Sequence, residues 1–139
     1  MNEVASAIQS AVGVFVRQLR LLTVPGELSM PEYAVLARLS RGGPATTTTL
    51  ANQEQITTQS IGATISSLEK RGLVERRPDT DDGRQSILSV TSAGSRELRH
   101  RRDTRTVQLS KALSSGFTAS EMTELQSAAI LLERLAYLL

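Results

Sequence analysis

The hydrophobic period of this chain changes twice along its length, and that change limits what it can fold into more than any other feature. Val4, Ile8, Val12, Phe15, Leu19 and Leu22 recur in steps of three and four, with Ala11 beside them, and so describe one face of a helix. Helical spacing persists to Leu68. Leu73-Val74-Glu75-Arg76-Arg77 and Ser86-Ile87-Leu88-Ser89-Val90 then read as two short strands around a turn-rich linker, Pro78 to Arg84. After Val90 the helical period returns and runs to the end.

Local signals divide the helical parts. Pro25-Gly26 stops the first helix. Ser29 opens a capping box with Glu32, and Pro31 suits the first turn of a second helix carrying Tyr33, Val35, Leu36 and Leu39. Gly42-Gly43-Pro44 ends it. A short third helix is expected from about Thr47 to Gln53, with Leu50 and Ala51 inward, although its run of threonines has weak helix propensity. A fourth starts near Thr57, buries Ile61, Ile65 and Leu68, and stops at Gly72 in a left-handed cap. Thr91 or Ser92 caps a fifth helix reaching Gly116, with Leu98, Leu109 and Leu113 inward. Thr118 and Glu121 form a second capping box for a last helix lined by Leu125, Ala128, Leu132, Leu135 and Leu139. The order is four helices, a hairpin and two helices. Two helices flanking a tight turn, followed directly by a hairpin, form a winged helix-turn-helix. The expected fold is mainly α with a small β-hairpin wing and long terminal helices. A DNA-binding domain would span residues 30–91, and a helical dimerisation region residues 1–24 and 92–139, within a single 139-residue unit.

Composition removes several classes of function. The chain has no Cys and one His, so thiolate metal sites, cysteine nucleophiles, cysteine redox switches and histidine-rich zinc sites lack their ligands. It has no Trp, two Phe and two Tyr, too few rings to stack successive unpaired bases. No Gly-x-Ser-x-Gly elbow, phosphate-binding Gly-rich loop or His-Glu-x-x-His pair occurs, so an enzyme is not expected. No cofactor is expected. The start of the chain lacks the basic stretch of a signal peptide, and no apolar run approaches the roughly 20 residues that span a bilayer. A cytoplasmic protein without a membrane partner is the simplest expectation.

The fourth helix carries the candidate chemistry. On a helical wheel the stripe Ile61, Ile65, Leu68 faces the core, and Gln59, Ala63, Ser66 and Lys70 fall opposite. Thr58 and Gly62 lie on one flank, Thr57 and Ser60 on the other. A helix laid in the major groove needs small, polar, acid-poor residues on that face, because they permit close approach and can bond bases and phosphates. Its N-terminus adds free N–H groups and a positive dipole end. In the hairpin, Arg76, Arg77 and Arg84 are expected close together, with Gly83 at the tip. Arg84 on a thin loop can enter the minor groove, aimed by a bidentate bond from Asp82. Asp79, Asp81 and Gly83 echo the start of a calcium loop, but Arg84 stands where that loop needs Gly and Val90 where it needs Glu, so no metal site is expected. Arg96, Arg99, His100, Arg101, Arg102 and Arg105 form a basic run read as a solvated helix face.

These residues resemble a known family. Leu50-Ala51, Glu54-Gln55-Ile56, the run Leu68-Glu69-Lys70-Arg71-Gly72-Leu73-Val74-Glu75-Arg76, the wing Asp79-Thr80-Asp81-Asp82-Gly83-Arg84 and the close Leu88-Ser89-Val90-Thr91-Ser92-Ala93-Gly94 are similar to the MarR family of bacterial transcription regulators. The resemblance covers nearly the whole chain, and the wing is its most specific part. It implies a homodimer on an inverted-repeat operator in double-stranded DNA, the Thr57–Arg71 helix in a major groove and the Arg84 wing in the adjoining minor groove. It also implies repression relieved by a small effector, often an aromatic acid or phenol. No ligand-pocket motif is recognisable. The chain departs from the family at Ala63, where Arg is common, and at Gly62, where Ser or Thr is common. Either Gln59, Ser60 and Ser66 carry specificity together with DNA shape, or DNA affinity is weak. The alternative function is then a helical dimerisation or partner-binding protein.

Two further readings are independent of the resemblance. The terminal helices are richly apolar, and a small winged core cannot cover both. Val4, Ile8, Val12 and Phe15 at one end, with Leu125, Leu132, Leu135 and Leu139 at the other, are therefore the candidate dimer interface. The formal net charge of +2 is also unevenly placed. Lys70 to Arg105 holds ten Lys plus Arg against six Asp plus Glu, whereas the rest holds six against eight. A dimer would present that basic segment twice.

Overall fold

The computed structural model describes every residue except Thr23 and Pro25. Its elements in chain order are α1 (Asn2–Leu21), α2 (Met30–Gly42), β1 (Ala45–Thr46), α3 (Thr47–Glu54), α4 (Thr58–Lys70), β2 (Val74–Pro78), β3 (Ser86–Val90), α5 (Ser92–Gly116) and α6 (Ala119–Ala136). The mainly α class with a small β wing is thus observed, and every helix expected from the period is present. Pro25, half of the expected stop after α1, lies outside the described residues. Two compact units divide the chain, Met1–Arg99 and His100–Leu139, and α5 contributes to both.

The caps form as the sequence chemistry requires. The Ser29 hydroxyl accepts from the Glu32 N–H while the Glu32 carboxylate accepts from the Ser29 N–H, and Thr118 and Glu121 do the same for α6. Thr46 caps α3 and Thr57 caps α4, each hydroxyl accepting from the N–H three residues on. Of the two candidates before α5, Thr91 is the one whose hydroxyl accepts from the Gly94 N–H. At the end of α4, Gly72 has φ +71°, its N–H bonds to the Glu69 carbonyl, and the Leu73 N–H bonds to the Leu68 carbonyl. That pair of bonds is a Schellman motif, and Leu68 and Leu73 supply the apolar contact that accompanies it.

The sheet differs from the expected two-stranded hairpin. It has three antiparallel strands in the order β1-β3-β2. Ala45 pairs with Leu88 and Thr46 with Ile87, while Val74 pairs with Val90 and Arg76 with Leu88. Two residues are too few to show a period of two, so β1 left no trace in the sequence. It matters because it makes β3 central and joins the wing to the segment between α2 and α3. A single core of Leu28, Val35, Leu36, Leu39, Leu50, Ala51, Ile61, Ile65, Leu68, Leu73, Val74 and Leu88 seats α2, α3 and α4 against the sheet. Leu36, Leu50, Ile61, Ile65, Leu68 and Leu88 are fully buried. Each large aliphatic side chain withdrawn from water contributes roughly 1.5–3 kcal/mol, which fixes which face of α4 turns inward.

The terminal helices contrast with this core. Neither α1 nor α6 has a buried residue. Phe15 is 51% exposed and Leu132 39% exposed. Val4, Val12, Leu125, Leu135 and Leu139 are exposed as well, and Ile8 is half-buried. No helix among the described residues is long and apolar enough to cross a membrane.

Candidate nucleic-acid interface

Burial of Ile61, Ile65 and Leu68 turns the opposite side of α4 to solvent. Thr57, Thr58, Gln59, Ser60, Ala63, Ser66 and Lys70 are all exposed, and Gly62 is half-buried. The Thr57 hydroxyl is committed to the cap and accepts from the Ser60 N–H at 3.1 Å. Gln59 and Ser66 keep their polar groups on the open face, and Lys70 places a cation at its C-terminal end. Glu69, the one acid of α4, is bound by Arg76: Nη2 lies 2.6 Å and Nε 3.2 Å from Glu69 Oε1.

That pairing corrects the expected arginine cluster. Alternate residues of a strand point to opposite faces. Val74 and Arg76 therefore share the face toward α4, where Val74 is buried and Arg76 meets Glu69, while Arg77 points to the other face and is exposed. Arg76 cancels an acid beside the helix, and Arg84 stands apart in the loop. The expected bidentate bond from Asp82 is also absent. Asp82 Oδ1 lies 3.5 Å from Arg84 Nε and accepts from the Arg84 backbone N–H at 3.1 Å. Asp79 likewise accepts from the Asp81 N–H at 3.0 Å. These carboxylates shape the turn by capping its backbone. The Arg84 side chain is left 94% exposed, reaching outward from the tip.

In the basic run of α5, Arg96, Arg99, His100 and Arg102 are exposed, as a solvated face requires. Arg101 is not: it is buried, 8% exposed, and so departs from the solvated reading. Periodicity alone does not separate an arginine whose stem packs inward from one in water.

From its spacing, Glu32 is expected only as the second half of a capping box. In the structure Glu32 is 8% exposed and joins α2 to α4. Its Oε2 accepts from the Ser67 hydroxyl at 2.9 Å and lies 3.4 Å from Arg71 Nη1, while Arg71 Nη2 donates to the Gly26 carbonyl at 2.9 Å. Burial pushes the Glu32 carboxyl up, but the Ser29 N–H, the Ser67 and Ser29 hydroxyls and the Arg71 charge together hold it below its usual 4.5. A carboxyl so lowered on folding stabilises the protein above its unfolded value and loses that stabilisation as pH falls through the folded one. Glu32→Gln should therefore cost about 1–3 kcal/mol at neutral pH. The gap from wild type should shrink below pH 4.5. Urea midpoints at neutral pH and on the acid side test this, and an unchanged gap rules it out.

A cleft of about 380 Å³ is lined by Arg20 from α1, Met30 and Val35 from α2, Glu54 and Ile56 at the α3–α4 turn, and Thr64 from α4. Its wall is mostly apolar, with a cation and a carboxylate at the rim. Glu54 is itself paired with Arg38.

Comparison with known proteins agrees with this geometry. Residues 28–86 match the model of the MarR family. A helix-turn-helix-type transcriptional regulator of Mycobacterium bovis is 33% identical over 128 residues, covering 92% of this chain and 89% of that protein. Among solved structures, a transcriptional regulator from Pseudomonas aeruginosa superposes with a TM-score of 0.80 at 28% identity, covering 97% of this chain and 94% of that one. The PcaV transcriptional regulator of Streptomyces coelicolor, solved with its natural ligand, superposes with a TM-score of 0.56 at 26% identity, covering 97% and 90%. These relatives are regulators of transcription, not enzymes.

Proposed function

The chain belongs to the MarR family of DNA-binding transcription regulators, and from that premise we propose that it acts as a homodimeric repressor released by a small molecule. Residues 30–91 form the DNA-binding domain, and residues 1–24 and 92–139 the dimerisation region. Each protomer lays α4 in a major groove, with Gln59, Ser60 and Ser66 at base edges and Thr57, Thr58 and Lys70 toward phosphates. Ala63 gives close approach. Arg84 enters the neighbouring minor groove, and Arg77 adds positive charge at the wing. Asp82 shapes the turn that presents Arg84, and Arg76 removes the charge of Glu69 from the interface. The observation that carries this reading is the division of α4 between a fully buried aliphatic stripe and an exposed, small, polar face that ends in Lys70.

Dimerisation rests on the uncovered apolar faces of α1 and α6. A contiguous apolar surface left in water favours association, and a two-fold dimer matches an inverted-repeat operator. Release by a ligand rests on the cleft between α1, α2 and α4, and on the ligand-bound state of the relative from Streptomyces coelicolor. A molecule that fits the cleft in only one spacing of the two α4 helices shifts the population toward that spacing.

The experiment is a salt titration of binding to a duplex selected from random sequence by the protein itself. Each phosphate neutralised contributes roughly 0.9 to the log–log slope, so a dimer making six or more such contacts should lose on the order of 10³ in affinity between about 50 and 200 mM salt. A flat dependence, or failure to select any sequence, would favour the partner-binding alternative that Gly62 and Ala63 suggest.

A further inference from the structure

The aliphatic stripe of α4 decides which face turns inward, but apolar contact is non-directional and sets the rotation about the helix axis only coarsely. Directional bonds do. Ser67 and Arg71 are four residues apart and so lie on one side of α4, on a flank between the buried stripe and the exposed face. Both bind Glu32 in the first turn of α2, and Arg71 also bonds the Gly26 carbonyl in the connection between α1 and α2. On the other flank of α4, Glu69 is bound by Arg76 of β2, so that side is tied to the wing, whereas the Ser67–Arg71 side is tied to α2 and the α1–α2 connection.

We infer that Arg71 is a positioning residue for DNA recognition: its fork, with Ser67 and Glu32, ties the C-terminal end of the recognition helix to the α1–α2 connection and thereby sets the angle at which Gln59 and Ser66 meet the bases. The inference rests on the proposal that α4 is the reading helix. Two bonds that diverge from one planar guanidinium define a direction, which a single flexible ammonium does not. The Glu32 carboxylate at which one of them ends is buried, which strengthens that bond against competition from water. The bonds also end on different segments. A displacement of the α1–α2 connection is felt at α4 through Arg71, and one of the start of α2 through Glu32.

The geometry separates this role from a DNA contact. A residue that touches phosphate lowers affinity for all sequences alike, whereas one that aims the reading helix lowers affinity for the right sequence and leaves random binding intact.

The test compares wild type, Arg71→Met and Arg71→Lys on two duplexes: one selected from random sequence by the wild type, and a scrambled duplex of the same composition. Arg71→Met keeps the apolar stem and removes both bonds. It should lose roughly tenfold or more on the selected duplex and stay within about twofold on the scrambled one. Arg71→Lys, able to restore one bond, should recover part of the selective loss. Sedimentation and circular dichroism confirm an unchanged assembly and helix content. Should Arg71→Met unfold, Ser67→Ala takes its place, since it removes one bond from the same side of α4 and should give the same selective loss in smaller measure. Equal losses on both duplexes make Arg71 a phosphate contact, and retention of selective binding makes the latch irrelevant to recognition. Either result overturns the inference. Failure of the wild type to distinguish the two duplexes would instead overturn the reading role of α4.

Discussion

Arg84→Ala should weaken operator binding by roughly 30-fold or more while leaving helix content and melting temperature nearly unchanged. The two halves of that expectation have separate physical grounds. An arginine placed in a groove typically contributes about 1–3 kcal/mol, and a two-fold dimer uses each wing once, so the loss counts twice. In the free protein the same side chain is 94% exposed and lies 3.5 Å from Asp82. An exposed ion pair of that length adds little to stability. Arg84→Lys separates charge from shape: it should retain much of the salt-dependent part of binding and lose the part that depends on a planar group fitting a narrow groove. Binding isotherms at moderate salt, with thermal melts at one protein concentration, decide the matter. Operator affinity within a factor of two for Arg84→Ala would remove the wing from the interface.

Much of this site was legible in the sequence because its signals are local. The division of α4 into a buried and an open face follows from the spacing of Ile61, Ile65 and Leu68, and its ends from Thr57 and Gly72. The caps at Ser29 and Thr118 read directly, since each partner lies three residues away. Signals that depend on distant partners did not read. Glu32 looked complete as the second half of a capping box, and nothing near it indicated Ser67, 35 residues on, or Arg71, 39 residues on. Arg76 looked like one of three wing arginines until the register placed it on the face of Glu69. Asp82 sits at the spacing of a salt bridge to Arg84, yet that spacing serves a backbone turn equally well, and the exposed side chain gains too little from the ion pair to hold it. The short strand β1 has no period to detect.

The junction between the wing and α5 carries another long-range constraint, and it yields the larger expected loss of stability. Gly94→Ala should lower stability by about 1–3 kcal/mol, even though alanine is the better helix former by roughly 1 kcal/mol. Gly94 lies in the first turn of α5, where the intrinsic preference should favour the substitution. A Cβ there would stand 2.3 Å from the Leu73 carbonyl oxygen and 2.9 Å from Val90 Cγ1. The valine can rotate, but the carbonyl cannot yield alone. It accepts from the Thr91 N–H at 3.1 Å, and the Thr91 hydroxyl donates to the Gly72 carbonyl at 2.7 Å while accepting from the Gly94 N–H at 3.1 Å. Moving α5 away to admit the methyl group stretches this set of bonds. It also disturbs the Gly72–Leu73 segment, where α4 ends and β2 begins. The steric cost should therefore exceed the propensity gain, and a melting point lower by on the order of 5–10 °C is expected for a chain of this size. Melts must be compared at equal protein concentration, because any dimer couples its stability to mass action. Because the same segment joins the recognition helix to the wing, operator affinity should fall by more than the loss of folded protein explains. A melting point within about 1 °C of wild type would mean that α5 shifts freely at its start and that the close approach of Gly94 to Leu73 is not a constraint on the fold.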